Sequence, residues 1–441
     1  MPSRLRSIRV SVRPFFGVHG CVTPLAVALL LPSAAGGWQT TLEASRGGQA
    51  YVLAVDDRGD AVAGGVIYGS TAEDESFTVV KLRSTDGNQI WRYGGPAPQA
   101  RAVALDGDDV IAAGFFFYTP ESGSSGMVVR LSGATGQEIW RVNRPGSFVA
   151  PSLVVDSAGD VIVAEGAGDG QSVTVEKLSG MDGTVRWRRT LPRAWSAAMI
   201  LEATGDVVVA ATPIVALAGE TGDVRWTADV LGDRVSTLLR DEAGDPVVGT
   251  FFFQGPPGRE KYHTRIVRLS RTTGRIRWGT GPTNLFPVLI RGSREIIAVR
   301  TMKRRRSEHQ RLVALRRRDG RPTWRHGLRG DTYVSGATVD AVGDLFVSSA
   351  YEDGGAGQYP PLRSRITKLR GRNGAPLWKR EFDGGSPFGA FVGQAVGTDG
   401  HRDVVIAGYG VERVRPMTFK VIKLDGTTGA NSAAQRLPDT Q

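Results

Sequence analysis

The sequence predicts an all-β fold made of eight repeated four-stranded antiparallel sheets. Three observations predict it: an eleven-residue pattern that recurs eight times, a turn signature that precedes each copy, and a lone tryptophan ahead of the first repeat.

The eleven-residue pattern first appears as KLRSTDGNQIW at 81–91 and returns at 130–140, 177–187, 216–226, 268–278, 314–324, 368–378 and 423–433. Its second position is leucine in every copy, from Leu82 to Leu424, and its seventh is glycine in every copy, from Gly87 to Gly429. The last position is tryptophan in seven copies (Trp91, Trp140, Trp187, Trp226, Trp278, Trp324 and Trp378) and alanine, Ala433, in the eighth. The pattern reads as a hairpin: an apolar strand, a turn closed by a glycine able to take positive φ, and a second strand carrying the tryptophan. The tryptophans fall 49, 47, 39, 52, 46 and 54 residues apart. That spacing suits a propeller blade of four strands.

The other half of each repeat is a second hairpin, whose turn reads Asp-x-x-Gly-Asp at 56–60, 156–160, 241–245 and 340–344, with looser versions near Asp106, Glu202, Arg291 and Asp399. The strand after it is a continuous apolar run, such as 161–164 or 404–407. Runs without alternation suit strands covered on both faces. Each repeat is then strands A, B, C and D in order, and the chain is an eight-bladed β-propeller of four-stranded antiparallel blades. The blades fall near 48–95, 99–145, 148–192, 197–231, 235–283, 286–329, 333–383 and 392–433. The eighth copy lacks its tryptophan, and Trp38 sits alone in a segment that looks like an isolated D strand. Residues 36–44 are therefore expected to pair into the last blade and close the ring, removing open sheet edges.

Residues 1–35 differ in kind. Arg4, Arg6, Arg9 and Arg13 precede an apolar run from Val22 to Leu31 and then the small residues Ser33, Ala34 and Ala35. That order predicts a cleaved signal peptide and an exported protein, periplasmic or extracellular. The run is too short to span a bilayer, which takes about 20 apolar residues. Cys21 is the sole cysteine and lies in this leader, so residues 36–441 form one domain without disulfides, thiolate nucleophiles or cysteine-bound metals. Losing four arginines lowers the net charge from +11 to +7.

The copy ALAGETGDVRW at 216–226 resembles the tryptophan-docking motif of quinoprotein alcohol dehydrogenases, and the repeats are similar to those of the outer-membrane assembly scaffold that shares their propeller. The resemblance covers residues 36–441. It implies that Trp38, Trp91, Trp140, Trp187, Trp226, Trp278, Trp324 and Trp378 pack as docking contacts between neighbouring blades. In the enzymes it further implies a calcium-bound quinone, carboxylate and amide metal ligands, a general-base aspartate and, in several, adjacent cysteines. None of those residues aligns to a position here, and every aspartate that can be placed sits in a turn. No catalytic residue, metal or cofactor is therefore expected, with pyrroloquinoline quinone and calcium kept as the alternative.

Other chemistries find no pattern. His263, His309, His326 and His401 fall in different blades without ligand spacing, and no nucleophile elbow or phosphate loop occurs. The Asp-rich turns read as hairpin turns rather than calcium loops. Phe115 to Phe117 and Phe251 to Phe253 end B strands and read as blade packing.

In a four-strand meander the A–B and C–D turns share one face, here short and uniform. The B–C and D–A loops share the other, variable in length, which makes it the expected binding face. On it lie a basic cluster (Lys303, Arg304, Arg305, Arg306 and Arg311), an acidic loop with Glu73, Asp74 and Glu75, the extra tryptophan Trp195, and the pair Tyr262 and His263. The expectation is a monomeric scaffold for a protein or anionic partner of the cell envelope, with the arginines steering it, and no nucleic-acid partner. A quinone-dependent dehydrogenase, a relative retaining ligand binding, and an envelope-assembly factor are the alternatives.

Overall fold

In the computed structural model the chain forms eight sheets and no helix among the described residues. Those residues are 37–437, apart from the connecting segments 70–75, 96–98, 116–124, 146–151, 167–171, 193–197, 257–260, 305–306, 329–332, 353–361, 383–389, 400–401 and 412–416 and a few single positions. The expected leader, 1–35, lies outside them.

Blades 1 to 7 are antiparallel meanders over 48–95, 100–145, 152–192, 199–228, 234–279, 285–328 and 333–382. Strand A of every blade touches strand A of both neighbours, and the last of these contacts joins blade 8 to blade 1, so the A strands ring the axis. B strands such as Val161–Gly166 are buried along their whole length. They have a sheet on each side, which is why their sequence is apolar without alternation.

Every C–D hairpin in blades 1 to 7 carries a bulge at the same step, between the first and second positions of the eleven-residue pattern. The bulge sets the pattern's first residue directly opposite the tryptophan: Lys81 faces Trp91, and Lys368 faces Trp378. The glycine at position seven takes positive φ, 71° at Gly87 and Gly136, where a side chain would be strained.

Blade 8 closes the ring as the sequence predicts. Trp38–Leu42 takes the D position beside strand C, Thr418–Leu424, with Trp38 opposite Lys423. The closing blade has one strand more than expected. Ala433–Leu437, which begins at the last position of the eighth copy, runs parallel to Trp38–Leu42 on its outer side. The N-terminal strand occupies the D slot, so the chain leaving strand C can add only to the free edge beyond it.

Candidate functional site

On the short-turn face the repeat builds one hydrogen-bonded joint eight times. Each indole N–H donates to a backbone carbonyl in the C–D turn of the next blade: Trp91 to Gly133 at 2.9 Å, Trp187 to Gly219 at 3.0 Å, Trp278 to Arg317 at 2.6 Å, and so on to Trp378 and Gly426 at 3.1 Å. Trp38 completes the circuit by donating to Ser84 of blade 1. The indole lies flat against that turn's glycine, so that a Cβ on Gly136 would sit 2.7 Å from Trp91.

The turn aspartates belong to the same joint. The second acid of the A–B turn accepts the backbone N–H of the residue whose carbonyl the indole uses, as Asp160 does from Gly180 and Asp403 from Gly426. The first acid meets a buried cation from the pattern's first position: Lys81 with Asp56 at 2.8 Å, Lys368 with Asp340 at 2.9 Å, Lys423 with Asp399 at 2.6 Å. Blade 4 breaks the rule, because position 216 is alanine. Glu202, in the first-acid position, is buried with no hydrogen bond to either carboxylate oxygen, and Arg240 Nε stands 3.6 Å away. Burial pushes its pKa up to about 7, against the pull of Arg240 and Arg271. Among the described residues no three His, Cys, Asp or Glu side chains form a metal-binding group.

The opposite face carries the variable loops, and two of them are not loops. In blade 5 the B–C ladder continues to Gln254 opposite Lys261, and in blade 6 to Arg304 opposite Ser307. Both hairpins therefore extend as paired strands past the three- and four-residue B and C strands of neighbouring blade 4. Their facing walls differ in chemistry. Ile266 of blade 5 packs with Ala298 and Val313 of blade 6, and alternation puts Tyr262 and Phe253 on one wall, Arg300 and Arg311 on the other. Phe253 is 56% exposed and Tyr262 41%, with their rings 5.9 Å apart, and Tyr262 stacks on Phe286 of blade 6 at 5.9 Å and 22°. Partial burial raises the pKa of the Tyr262 hydroxyl. Arg300 and Arg311 stand directly opposite each other, and among the described residues neither has an acidic partner. Like charges in that register oppose folding.

Of the expected surface, Tyr262 and Arg311 thus lie on the facing sides of the blade 5 and blade 6 hairpins. His263 is on the other side of its strand, against Phe252 at 5.7 Å. Lys303 and Arg304 lie on the blade 6 strand near the end of its hairpin, while Arg305, Arg306 and Trp195 lie outside the described residues. The loop with Glu73, Asp74 and Glu75 also lies outside them. Phe251 and Phe252 are half-buried against Tyr262 and His263 of the same blade, and only Phe253, which is exposed, departs from the packing the sequence suggests. Phe115 is buried as expected; Phe116 and Phe117 are outside the described residues. Sequence reading passes over Arg300 because its opposition to Arg311 depends on the hairpin register.

A second group gathers at the variable-face end of the A strands. The Arg101 guanidinium lies 3.6 Å over the Tyr51 ring, and burial lowers its pKa. Burial raises the pKa of the Tyr51 hydroxyl, with a hydrogen bond to Tyr68 adding to the effect.

A family profile described as outer membrane protein assembly factor BamB matches residues 25–167 and 116–324, more than half the chain. The chain belongs to this family. No curated protein matches the BamB-like sequence. Among solved structures, BamB from Moraxella catarrhalis is 16% identical, covering 67% of this chain and 81% of its own, with a TM-score of 0.45. The computationally designed Ika8 protein is 14% identical, covering 86% and 98%, with a TM-score of 0.51. The C-terminal WD40 domain of Sif2 is 10% identical, covering 89% and 96%, with a TM-score of 0.56. The last two share the propeller fold. No helix among the described residues of the BamB-like chain is long and apolar enough to cross a membrane.

Proposed function

We propose that this BamB-like propeller is an exported, non-catalytic scaffold that holds a protein partner of the cell envelope, and that the partner sits between the projecting hairpins of blades 5 and 6. The observation that carries this reading is the pair of facing hairpins, with Phe253 and Tyr262 exposed on one and, on the other, Arg300 opposite Arg311 with no acidic partner among the described residues. Aromatic and arginine side chains are the types enriched where protein interfaces concentrate their energy. A carboxylate between the two arginines would relieve their repulsion, so the partner segment is acidic. Family membership supports a scaffold over an enzyme, and the leader supports export.

The test is site-specific photocrosslinking in cells from position 262, with and without Arg300→Glu and Arg311→Glu in the same chain. One discrete crosslinked partner, lost on double charge reversal, supports the assignment. The same crosslink persisting in the reversed variant, or none appearing at 262 while positions on blade 1 react, removes it.

A further inference from the structure

The short-turn face is uniform in length but not in charge. The C–D turns of blades 5, 6 and 7 (270–275, 316–321 and 370–375) contain eight arginines and one aspartate, a net +7. The corresponding turns of the other five blades contain one arginine and five acids, a net −4. The basic sector is centred on blade 6, where the repeat's joint is rebuilt.

Blade 6 departs from its seven sisters at both acid positions of the joint and shares with blade 4 the loss of the cation. The first acid of the A–B turn is Arg291, the second is Glu295, and the cation position of the pattern is Ala314. Glu295 accepts from Arg291 at 2.6 Å and from the Thr323 hydroxyl at 2.8 Å, so its charge is already matched. The backbone N–H of Arg317, which an aspartate would take elsewhere, goes to the carbonyl of Arg294. The rearrangement leaves a pocket of about 410 Å³ lined by Arg294, Arg316, Arg317 and Arg318, with Glu295 and Thr323.

The charges in this pocket are not cancelled. Arg317 contacts Asp241 at 3.1 Å, an acid that Arg268 also holds. Arg316 and Arg318 share the single carboxylate of Asp319, at 3.1 and 3.4 Å. Arg294 has no acidic partner among the described residues. Gathering guanidinium groups around a concavity with too few acids opposes folding unless an anion enters it. The planar donor forks of arginine fit the oxygens of a phosphate group, and several together exceed what one carboxylate neutralises.

We infer that the blade 6 pocket on the short-turn face is a binding site for a phosphate-bearing ligand. It is separate from the facing hairpins of blades 5 and 6, on the other side of the ring. The surrounding arginines of blades 5 and 7 would draw the anion in from a distance.

The inference is tested on residues 36–441 by titration calorimetry with inorganic pyrophosphate, and by co-sedimentation with phosphatidylcholine vesicles with and without phosphatidylglycerol. The variant is Arg294→Glu with Arg318→Glu, two exposed side chains outside the buried joint; Arg83→Glu in blade 1 is the control on the same face. The wild type and the control should bind alike, and the double variant at least about tenfold more weakly, as expected for loss of charge-assisted contacts. Binding to pyrophosphate alone marks a soluble ligand, and binding to phosphatidylglycerol vesicles alone marks a lipid headgroup; both support the site. No binding to either probe, equal loss in the control, or citrate binding as tightly as pyrophosphate overturns it.

Discussion

Trp38 donates its indole N–H to the carbonyl of Ser84, 2.9 Å away, from a strand paired to the last blade into the turn of the first. Its side chain is fully buried, and its strand has neighbours on both edges. The five backbone pairs hold this strand in blade 8, and the indole, the Thr40 hydroxyl donating to Gly87 and the shared apolar core hold blade 8 to blade 1.

Trp38→Ala should cost about 3–5 kcal/mol of stability, the range for removing a buried tryptophan. The opened junction should also self-associate. Urea unfolding and size exclusion check both effects: a loss below about 1 kcal/mol would mean that the remaining contacts close the ring without the indole.

Two glycines separate backbone strain from packing. Gly107 has φ +59° and open space around its missing side chain, so Gly107→Ala should cost only the left-handed conformation, about 1 kcal/mol. Gly136 has φ +71° and a Cβ there would press on Trp91 at 2.7 Å. Gly136→Ala should therefore cost about 3 kcal/mol or more, since the indole must leave its seat. Equal midpoints in urea would contradict the joint described here.

Glu202 predicts a pH dependence that runs against the usual trend. Its pKa rises from 4.5 to about 7 on folding, so the folded state binds the proton more tightly. The stability it contributes is fully present below pH 4.5 and is lost as pH rises through 7, by on the order of 2 kcal/mol. Ala216→Lys restores the cation found in the same place in blades 1, 3, 7 and 8. That variant should be more stable than the wild type at pH 8 and should lose this component of the pH profile. Melting curves from pH 5 to 8 would show no such difference if Glu202 is solvated on opening of the turn.

Titration of residues 36–441 with pyrroloquinoline quinone and calcium should give neither saturable absorbance nor a raised melting temperature. The turn aspartates that might serve as ligands are already bound to backbone N–H groups and buried cations. Saturable binding with a raised Tm would restore the quinoprotein dehydrogenase alternative.

The fold was legible because its constraints are local and repeated. Glycine and tryptophan recur in register since each indole must meet a residue without a side chain, and the bulge fixes the distance between them. Even the closing strand was legible, as Trp38 is the one docking tryptophan without a pattern of its own. The fifth strand was not, because nothing in Ala433–Leu437 says which edge remains free. The two candidate sites were half legible. Arg311, Tyr262 and the arginine-rich turns are visible as composition, but the facing of Arg300 and Arg311 depends on register, and the blade 6 pocket on a joint rebuilt in three dimensions. Turn length, the feature used to rank the faces, carries no record of charge.

The indole-to-carbonyl joint has a direction: every blade offers a tryptophan to its successor and a glycine seat to its predecessor. In the language of assemblies this is a heterologous, head-to-tail contact that happens to close after eight steps. Breaking any one junction therefore exposes a knob and its matching socket on the same molecule. Two broken rings can satisfy each other as readily as themselves, which makes exchange of whole blades between copies the characteristic failure of this protein when its closing strand is displaced.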